Sequence, residues 1–134
     1  MSDDYGLIIH AGAPKCGSSS LQSTLSRTPR FAARDGRRYA YCSILDGGEV
    51  VHGAALSRRA AASPFGYSSS ANIANADWAS SVESVARTLQ GIRAEHGTPI
   101  LSSEGWVTRA EAFTTAGLIE KAGGRAHVVI FVRP

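Results

Sequence analysis

Residues 12–22 read GAPKCGSSSLQ, and this segment follows the apolar run Leu7-Ile8-Ile9 and precedes a stretch with helical character. Glycine tolerates positive φ and lets an anion approach the main chain, so a turn that contains Gly12 and Gly17 can point its backbone N–H groups inward. The serines at positions 18–20 fall at the first turn of the following helix, where free N–H groups and the positive end of the helix dipole favour a phosphate. The segment therefore predicts a phosphate-binding loop between a strand and a helix.

The one charged residue of this loop, Lys15, lies two residues before Gly17. In the nucleotide triphosphatase pattern G-x-x-x-x-G-K-[ST] the lysine follows the second glycine, and the next Ser or Thr holds magnesium. Here Ser18 follows that glycine. A cation at position 15 can reach the oxygen that bridges a phosphate to a transferred group, and no dedicated metal ligand comes after it. This order argues against an ordinary ATPase and predicts a site without a metal.

The order Pro-Lys-x-Gly-Ser-Ser, followed by Leu-Gln, resembles the 5′-phosphosulfate loop of sulfotransferases that use 3′-phosphoadenosine-5′-phosphosulfate (PAPS) as donor. The sequence HAGAPK at residues 10–15 looks most like that of the bacterial branch of the superfamily. Residues 99–104, PILSSE, are similar to the family's strand that ends in Ser-Ser-Glu, and residues 127–134, HVVIFVRP, to its strand that ends in the arginine of the 3′-phosphate site. The three segments occur in family order and span nearly the whole chain.

The resemblance implies a fold and indicates that its C-terminal part is missing from this sequence. It implies a single α/β domain over residues 1–134, like the P-loop-containing nucleotide hydrolases, with a parallel sheet flanked by helices. In the family a serine that shares the 3′-phosphate and further helices follow the arginine, whereas this sequence ends at Arg133-Pro134. We therefore expect a domain truncated at its C-terminus, completed by a second copy of the chain or by a partner chain, and with transferase activity that is weak or absent in the lone monomer.

The resemblance also assigns roles to residues of the predicted loop. Lys15 would stabilise the negative charge that develops on the leaving oxygen, and Arg133 would bind the 3′-phosphate through a two-pronged contact. Cys16 stands where the family usually has Thr or Ser, but the backbone N–H at this position can still bind the 5′-phosphate. The predicted donor-binding residues are Lys15, Cys16, Gly17, Ser18, Ser19, Ser20 and Arg133.

Two residues compete as the base that the acceptor hydroxyl needs. Glu104 follows a predicted strand and would face the site, although it could instead only orient Lys15 or the serine hydroxyls. His52 opens a predicted helix after the Gly47-Gly48 turn, and its alternative is a helix-face histidine without a catalytic role. The other histidines are expected to be structural or exposed to solvent.

The leading functional hypothesis is transfer of a sulfuryl group from PAPS to a hydroxyl or amine acceptor. A truncated, non-catalytic nucleotide-binding or assembly module is the first alternative. A P-loop kinase is the second, disfavoured by the missing Gly-Lys-Ser order. The acceptor stays open among glycans, lipids, peptides and small metabolites.

Composition limits the class of protein. The chain has 134 residues, 43% of them hydrophobic and 19% charged, with a net charge of +3. No apolar run approaches the ~20 residues that span a bilayer. The acidic start and two unpaired cysteines, Cys16 and Cys42, favour a cytoplasmic protein. The basic residues do not interleave with aromatic ones as a nucleic-acid platform requires, so nucleic acid is not an expected partner.

The hydrophobic pattern alternates short strands with amphipathic helices, which predicts parallel strands joined by crossover helices. The predicted strands are residues 6–10, 38–44 more weakly, 100–101, and 126–132 as a central buried strand. The predicted helices are residues 18–26, 50–62, 77–96 with Asp77 as N-cap, and a helix with a Thr108–Glu111 capping box that ends at residues 123–124. Residues 63–76 are predicted to form a loop. Ligands bind at the carboxyl ends of such strands, where the loop from Gly12, the Ser-Ser-Glu segment and Arg133 would meet.

Overall fold

The computed structural model describes residues 5–11, 18–68, 75–107, 111–114 and 116–131. Its strands are β1 (Leu7–His10), β2 (Arg30–Ala32), β3 (Arg38–Ile44), β4 (Val50–His52), β5 (Thr98–Ser102) and β6 (Ala126–Val129). Its α-helices are α1 (Ser18–Arg27), α2 (Gly53–Ala62), α3 (Asn75–Glu95), α4 (Glu111–Thr114) and α5 (Leu118–Ala122). Short 3₁₀ turns cover Asp46–Gly48 and Glu104–Val107.

The strands form one mixed sheet whose core is parallel. The parallel strands are ordered β3-β5-β1-β6, while β2 and β4 both pair antiparallel with β3 at its outer side. Strand β1 lies between β5 and β6, with Ile8 opposite Ile100 on one side and His127 on the other. The first strand of the chain is therefore central in the sheet, and its carboxyl end lies between two other strand ends.

Helices cover both faces of the sheet because the strands are apolar on both. In β1, Leu7 and Ile9 join the core cluster under α3, α4 and α5, whereas Ile8 packs with the cluster under α1 and α2. This alternation is the period of two that an extended strand imposes on its side chains. None of the helices that the structure describes is both long and apolar enough to cross a membrane. The fold is an α/β sandwich of three layers.

Several predicted elements are confirmed, and one boundary is wrong in an instructive way. Strand β1, helix α1, strand β3 and strand β5 lie where the sequence predicts them; β3 has the predicted bounds, and the bounds of the other three differ by at most two residues. The predicted helix over residues 50–62 is wrong in its first turn, because residues 50–52 form strand β4 opposite Cys42, Ser43 and Ile44. Helix α2 begins only at Gly53, where the backbone has a φ of +60°.

Two predicted helices differ in their starts and their continuity. Helix α3 begins at Asn75, so Asp77 lies within the helix and is not its N-cap. The single helix predicted before residues 123–124 is two short ones, α4 and α5, separated where Gly117 adopts a φ of +72°. Residues 108–110, which include Thr108 of the predicted capping box, lie outside the described residues.

The predicted central position of residues 126–132 is wrong within the described part of the chain. Strand β6 pairs with β1 there and with no other described strand, so it forms an edge of the sheet. Val128, Ile130 and Phe131 have exposed fractions of 51%, 56% and 50%. A run of β-branched residues favours a strand, but it does not show whether further strands or helices pack against that strand. The prediction of a second copy or partner chain stays a prediction.

Candidate functional site

The strand order predicts a ligand crevice at the carboxyl ends of β1 and β5. From β1 the chain continues past β5 to β2 and β3, in one direction along the strand order. From β5 it continues past β1 to β6, in the opposite direction. Neighbouring parallel strands whose connections diverge in this way form the crevice in which α/β sheets bind ligands. Residues 12–17, the predicted phosphate loop, connect the carboxyl end of β1 to α1 and lie outside the described residues.

A buried polar cluster joins three elements at this crevice. His10, the last residue of β1, has its Nδ1 2.8 Å from the Oγ of Ser102, the last residue of β5. Gln22 of α1 donates from its Nε2 to the same Oγ at 3.2 Å and to the Ser102 carbonyl oxygen at 3.3 Å. All three residues are at most 3% exposed. The cluster ties the helix that follows the predicted loop to both strands of the crevice.

Main-chain hydrogen bonds continue the sheet past the last strand residues. The Ser103 N–H donates to the His10 carbonyl oxygen at 3.1 Å, and the Ala11 N–H donates to the Val129 carbonyl oxygen at 3.0 Å. The backbone immediately before the predicted loop is thus bonded on both sides. Its direction is fixed up to residue 11.

The imidazole of His10 has one nitrogen without a partner. Its ring is 2% exposed, and its Nε2 has no hydrogen-bond partner among the described residues. The ring of Phe131, which follows β6, lies 5.2 Å away, centroid to centroid, and is tilted by 52°. Burial lowers the pKa of His10, because a charged imidazolium is poorly solvated there. His10 is therefore a neutral imidazole at pH 7.

The turn after β5 carries Glu104. Ser103 accepts the Gly105 N–H on its Oγ at 3.0 Å, and the Trp106 N–H donates to its carbonyl oxygen at 3.4 Å. These bonds hold the Glu104–Val107 turn against the end of β5. Glu104 therefore lies at the same sheet edge as His10 and Ser102, although its side chain is not among those that the structure describes.

The first turn of α1 opens onto a shallow groove of about 330 Å³. Ser19 and Ser20 are exposed there, and the Ser19 hydroxyl lies 3.5 Å from the Tyr67 hydroxyl. The groove is lined by Ser19, Ser20, Ser23, Thr24, Arg27, Phe65 and Tyr67. Two of the serines predicted to bind the donor are thus accessible from solvent.

His52 lies in a different part of the sheet. It ends β4, which pairs with β3, and both β3 and β5 stand between it and β1. Its Nδ1 accepts a hydrogen bond from the Arg30 guanidinium at 3.2 Å, and its ring centroid is 5.7 Å from that of His96. The structure does not bring His52 together with His10 and Ser102.

The remaining predicted residues fall partly or wholly outside the described residues. Lys15, Cys16, Gly17 and Arg133 lie outside them, and so does the side chain of Ser18, whose backbone begins α1. Among the side chains that the structure describes, no three His, Cys, Asp or Glu residues are grouped as a metal site requires. The prediction of a reaction without a metal stays a prediction.

Sequence reasoning missed the roles of Gln22 and Ser102. Both residues belong to segments that resemble the family, the Leu-Gln pair after the serines and the strand before Glu104. Their contact depends on the register between β1 and β5, in which His10 lies opposite Ser102. Gln22 follows Leu21 directly and precedes Leu25 by three residues, and a polar residue among the apolar positions of a predicted amphipathic helix is the local feature that could have indicated it.

Comparison with protein families, with curated proteins and with solved structures finds no match for this chain.

Proposed function

We propose that the chain is a sulfotransferase, with a P-loop-like domain that binds PAPS and passes its sulfuryl group to a hydroxyl or amine. One observation carries the proposal: the strand that leads into the Gly12–Gly17 segment is central, and parallel strands flank it on both sides. The Ser-Ser-Glu segment at the end of β5 therefore lies at the same end of the sheet as the start of the Gly12–Gly17 segment. A glycine-rich connection between a central strand and a helix is a common way to bind a phosphate group.

The proposed reaction is an in-line displacement at sulfur. The acceptor oxygen or nitrogen forms a bond to the sulfur atom while the bond from sulfur to the 5′-phosphate oxygen breaks. The electron pair of that bond stays on the leaving 3′-phosphoadenosine-5′-phosphate (PAP), and the acceptor's proton passes to a base. Lys15 and the backbone N–H groups of residues 16–18 would stabilise the charge that develops on the leaving oxygen.

Glu104 is the base that this proposal favours. It follows the carboxyl end of β5, next to the strand that leads into the loop, and hydrogen bonds to Ser103 hold its turn there. His52 is separated from β1 by two strands and accepts a hydrogen bond from Arg30. A general base has to come within hydrogen-bond reach of the proton that it removes. The proposal therefore gives His52 no part in the transfer.

Calorimetric titration with PAP, AMP and ATP in metal-free buffer tests the donor site. PAP should bind more tightly than the other two, because it alone carries both the 5′- and the 3′-phosphate for which Lys15 and Arg133 are proposed. Titration of ATP with added magnesium is the control. Equal or tighter ATP binding that depends on magnesium would favour the kinase alternative and overturn the proposal.

Transfer itself needs a separate measurement. The chain is incubated with ³⁵S-labelled PAPS and a panel of glycan, lipid, peptide and small-molecule acceptors, and labelled product is separated from free donor. Labelled product supports the sulfotransferase. PAP binding without any labelled product across the panel would support the non-catalytic nucleotide-binding module instead.

A further inference from the structure

We propose that His10 is a further ligand-binding residue of the site, and that its Nε2–H donates a hydrogen bond to a phosphate or sulfuryl oxygen of the bound donor. This inference rests on the proposed function, because the donor supplies the acceptor oxygen. It starts from the buried His10 nitrogen that has no hydrogen-bond partner among the described residues.

The hydrogen bonds around Ser102 determine which nitrogen of His10 carries the proton. The Gln22 amide can only donate to the Ser102 Oγ, so that oxygen already accepts one hydrogen bond. The Ser102 hydroxyl proton needs an acceptor, and the Nδ1 of His10, 2.8 Å away, is the one in place. If Nδ1 were the donor instead, the hydroxyl proton of a fully buried serine would have no acceptor in the described cluster. His10 is thus neutral with its proton on Nε2.

The position of His10 in the chain brings this buried N–H close to the start of the predicted loop. His10 ends β1, two residues before Gly12, where the predicted loop begins. Its Nδ1 is directed at Ser102 on β5, so Nε2 is directed away from that strand. The Phe131 ring, whose centroid is 5.2 Å from that of His10, has no acceptor oxygen to offer. A buried N–H without an acceptor costs free energy, and a bound oxyanion removes that cost.

A neutral donor suits the anion that the proposed function assigns to the predicted loop. A neutral imidazole adds a hydrogen-bond donor without adding charge. Burial lowers the pKa of His10 and so opposes its protonation to the charged imidazolium. Ser102 and Gln22 fix the ring, so little rotational entropy is lost when the ligand binds. His10 therefore acts as a pre-positioned donor in the crevice.

Two substitutions separate the ligand contact from the structural contact. His10→Asn keeps an oxygen near the position of Nδ1, which can accept from Ser102, but it lacks a donor at the position of Nε2. His10→Gln places an amide N–H near the position of Nε2, but it loses the acceptor for Ser102. His127→Asn, on the exposed part of β6, is the matched control. The first variant keeps the structural hydrogen bond and the second keeps the proposed ligand contact.

We expect His10→Asn to weaken PAP binding by about tenfold, the effect of one lost hydrogen bond to a charged group. His10→Gln should stay within about threefold of the wild type, because it restores the donor. His127→Asn should not change PAP affinity. Equal affinity of His10→Asn and wild type would overturn the inference, and so would a loss in His10→Gln as large as in His10→Asn.

Histidine NMR on the unaltered protein keeps the inference testable if a variant fails to fold. Two-bond ¹H–¹⁵N spectra report the tautomer of His10, and inorganic phosphate and PAP are added separately as probes. We expect the Nε2–H tautomer without ligand, and a shift of the Nε2 and its proton when either probe binds. A His10 signal that neither probe moves overturns the inference.

The two probes also separate this inference from the proposed function. A shift with phosphate in a protein that does not prefer PAP to ATP would support the role of His10 and contradict the sulfotransferase. Preferential PAP binding that leaves His10 unmoved would contradict the role of His10 and leave the sulfotransferase supported.

Discussion

The Nδ1 of His10 and the Oγ of Ser102 lie 2.8 Å apart, although 92 positions separate the two residues along the chain. Their contact joins the ends of the neighbouring strands β1 and β5, and the Ser103 N–H adds a main-chain bond to His10 at 3.1 Å. Gln22 brings α1 to the same point. The crevice is therefore fixed by side chains as well as by the sheet, in the place where the proposed donor site begins.

Ser102→Ala should lower the free energy of unfolding by about 1–3 kcal/mol, because it leaves buried groups of His10 and Gln22 without their partner. Urea denaturation followed by circular dichroism measures the change. Ser84→Ala, on the exposed side of α3, is the control and should stay within about 0.5 kcal/mol of the wild type. Equal stability of the two variants would contradict the importance of the cluster.

If the proposed function is correct, Lys15→Ala should reduce sulfuryl transfer much more than it reduces PAP affinity, because the proposal gives Lys15 its main contact as charge develops on the leaving oxygen. A lost transition-state contact of about 3 kcal/mol corresponds to a rate on the order of a hundredfold lower. Single-turnover rates and calorimetric PAP affinity are compared in the variant and the wild type. Lys121→Ala, on α5 across the sheet, is the control and should change neither. A rate and an affinity that fall equally would make Lys15 a ground-state binder.

The stability of the protein should depend on pH through the buried His10 and the partly buried His52. Burial lowers the pKa of His10. Burial, followed by the charges of Arg30 and His96, lowers the pKa of His52, and Glu95 opposes this in part. The unfolded chain titrates its histidines near a pKa of about 6.5, so below that pH it binds more protons than the folded protein does. The contribution of these histidines to the free energy of unfolding should therefore be retained above that pH and decrease as the pH drops below it.

Urea denaturation at about pH 7.5, 6.5 and 5.5, which brackets the unfolded pKa, measures this dependence. The double variant His10→Asn/His52→Asn should lose most of the change between the two lower values. His127→Asn, whose imidazole is exposed, should keep it. A double variant with the slope of the wild type would assign the pH dependence to other groups.

Gly91, within α3, and Gly97, in the connection from α3 to β5, should respond to alanine in opposite ways. Gly97 has a φ of +122°, and a Cβ there would overlap the Arg38 carbonyl group, so Gly97→Ala should cost more than about 2 kcal/mol. Gly91 lies within α3, and a Cβ there meets no atom, so Gly91→Ala should stabilise the protein by about 0.5–1 kcal/mol. Thermal denaturation of both variants against the wild type measures the two signs. The same sign in both would contradict the local geometry.

Local patterns predict much of this fold and less of its site. The apolar runs of β1 and β5 and the three- and four-residue spacing of Val82, Val85 and Leu89 are visible in the sequence, and the structure confirms their elements. Strands of three residues, such as β4, are too short to show a period. The exposure of Val128 depends on whether another element covers β6, which no local pattern encodes.

For the site, the sequence indicates a phosphate loop but not the cluster beside it. The order of glycines, lysine and serines in residues 12–20 is the motif on which that prediction rests, and because residues 12–17 lie outside the described residues the loop stays a prediction. The meeting of Gln22 with Ser102 is a long-range result of sheet order and strand register. His10 is expected from sequence to be structural or solvent-exposed, and its burial together with its unpaired Nε2 becomes apparent only once β5 and β6 flank β1.

The central position of β1 has a consequence for synthesis on the ribosome. Both strands that flank β1 are made late, since β5 begins at Thr98 and β6 at Ala126, whereas β2, β3 and β4 can pair with one another soon after they emerge. Long-range pairing is slow because the intervening chain has to be closed into a loop first. We expect nascent chains arrested before residue 98 to leave β1 accessible to protease, and chains released at full length to protect it. We thus expect the segment that leads into the proposed donor site to be translated before both strands that flank it and to become ordered only after they are made.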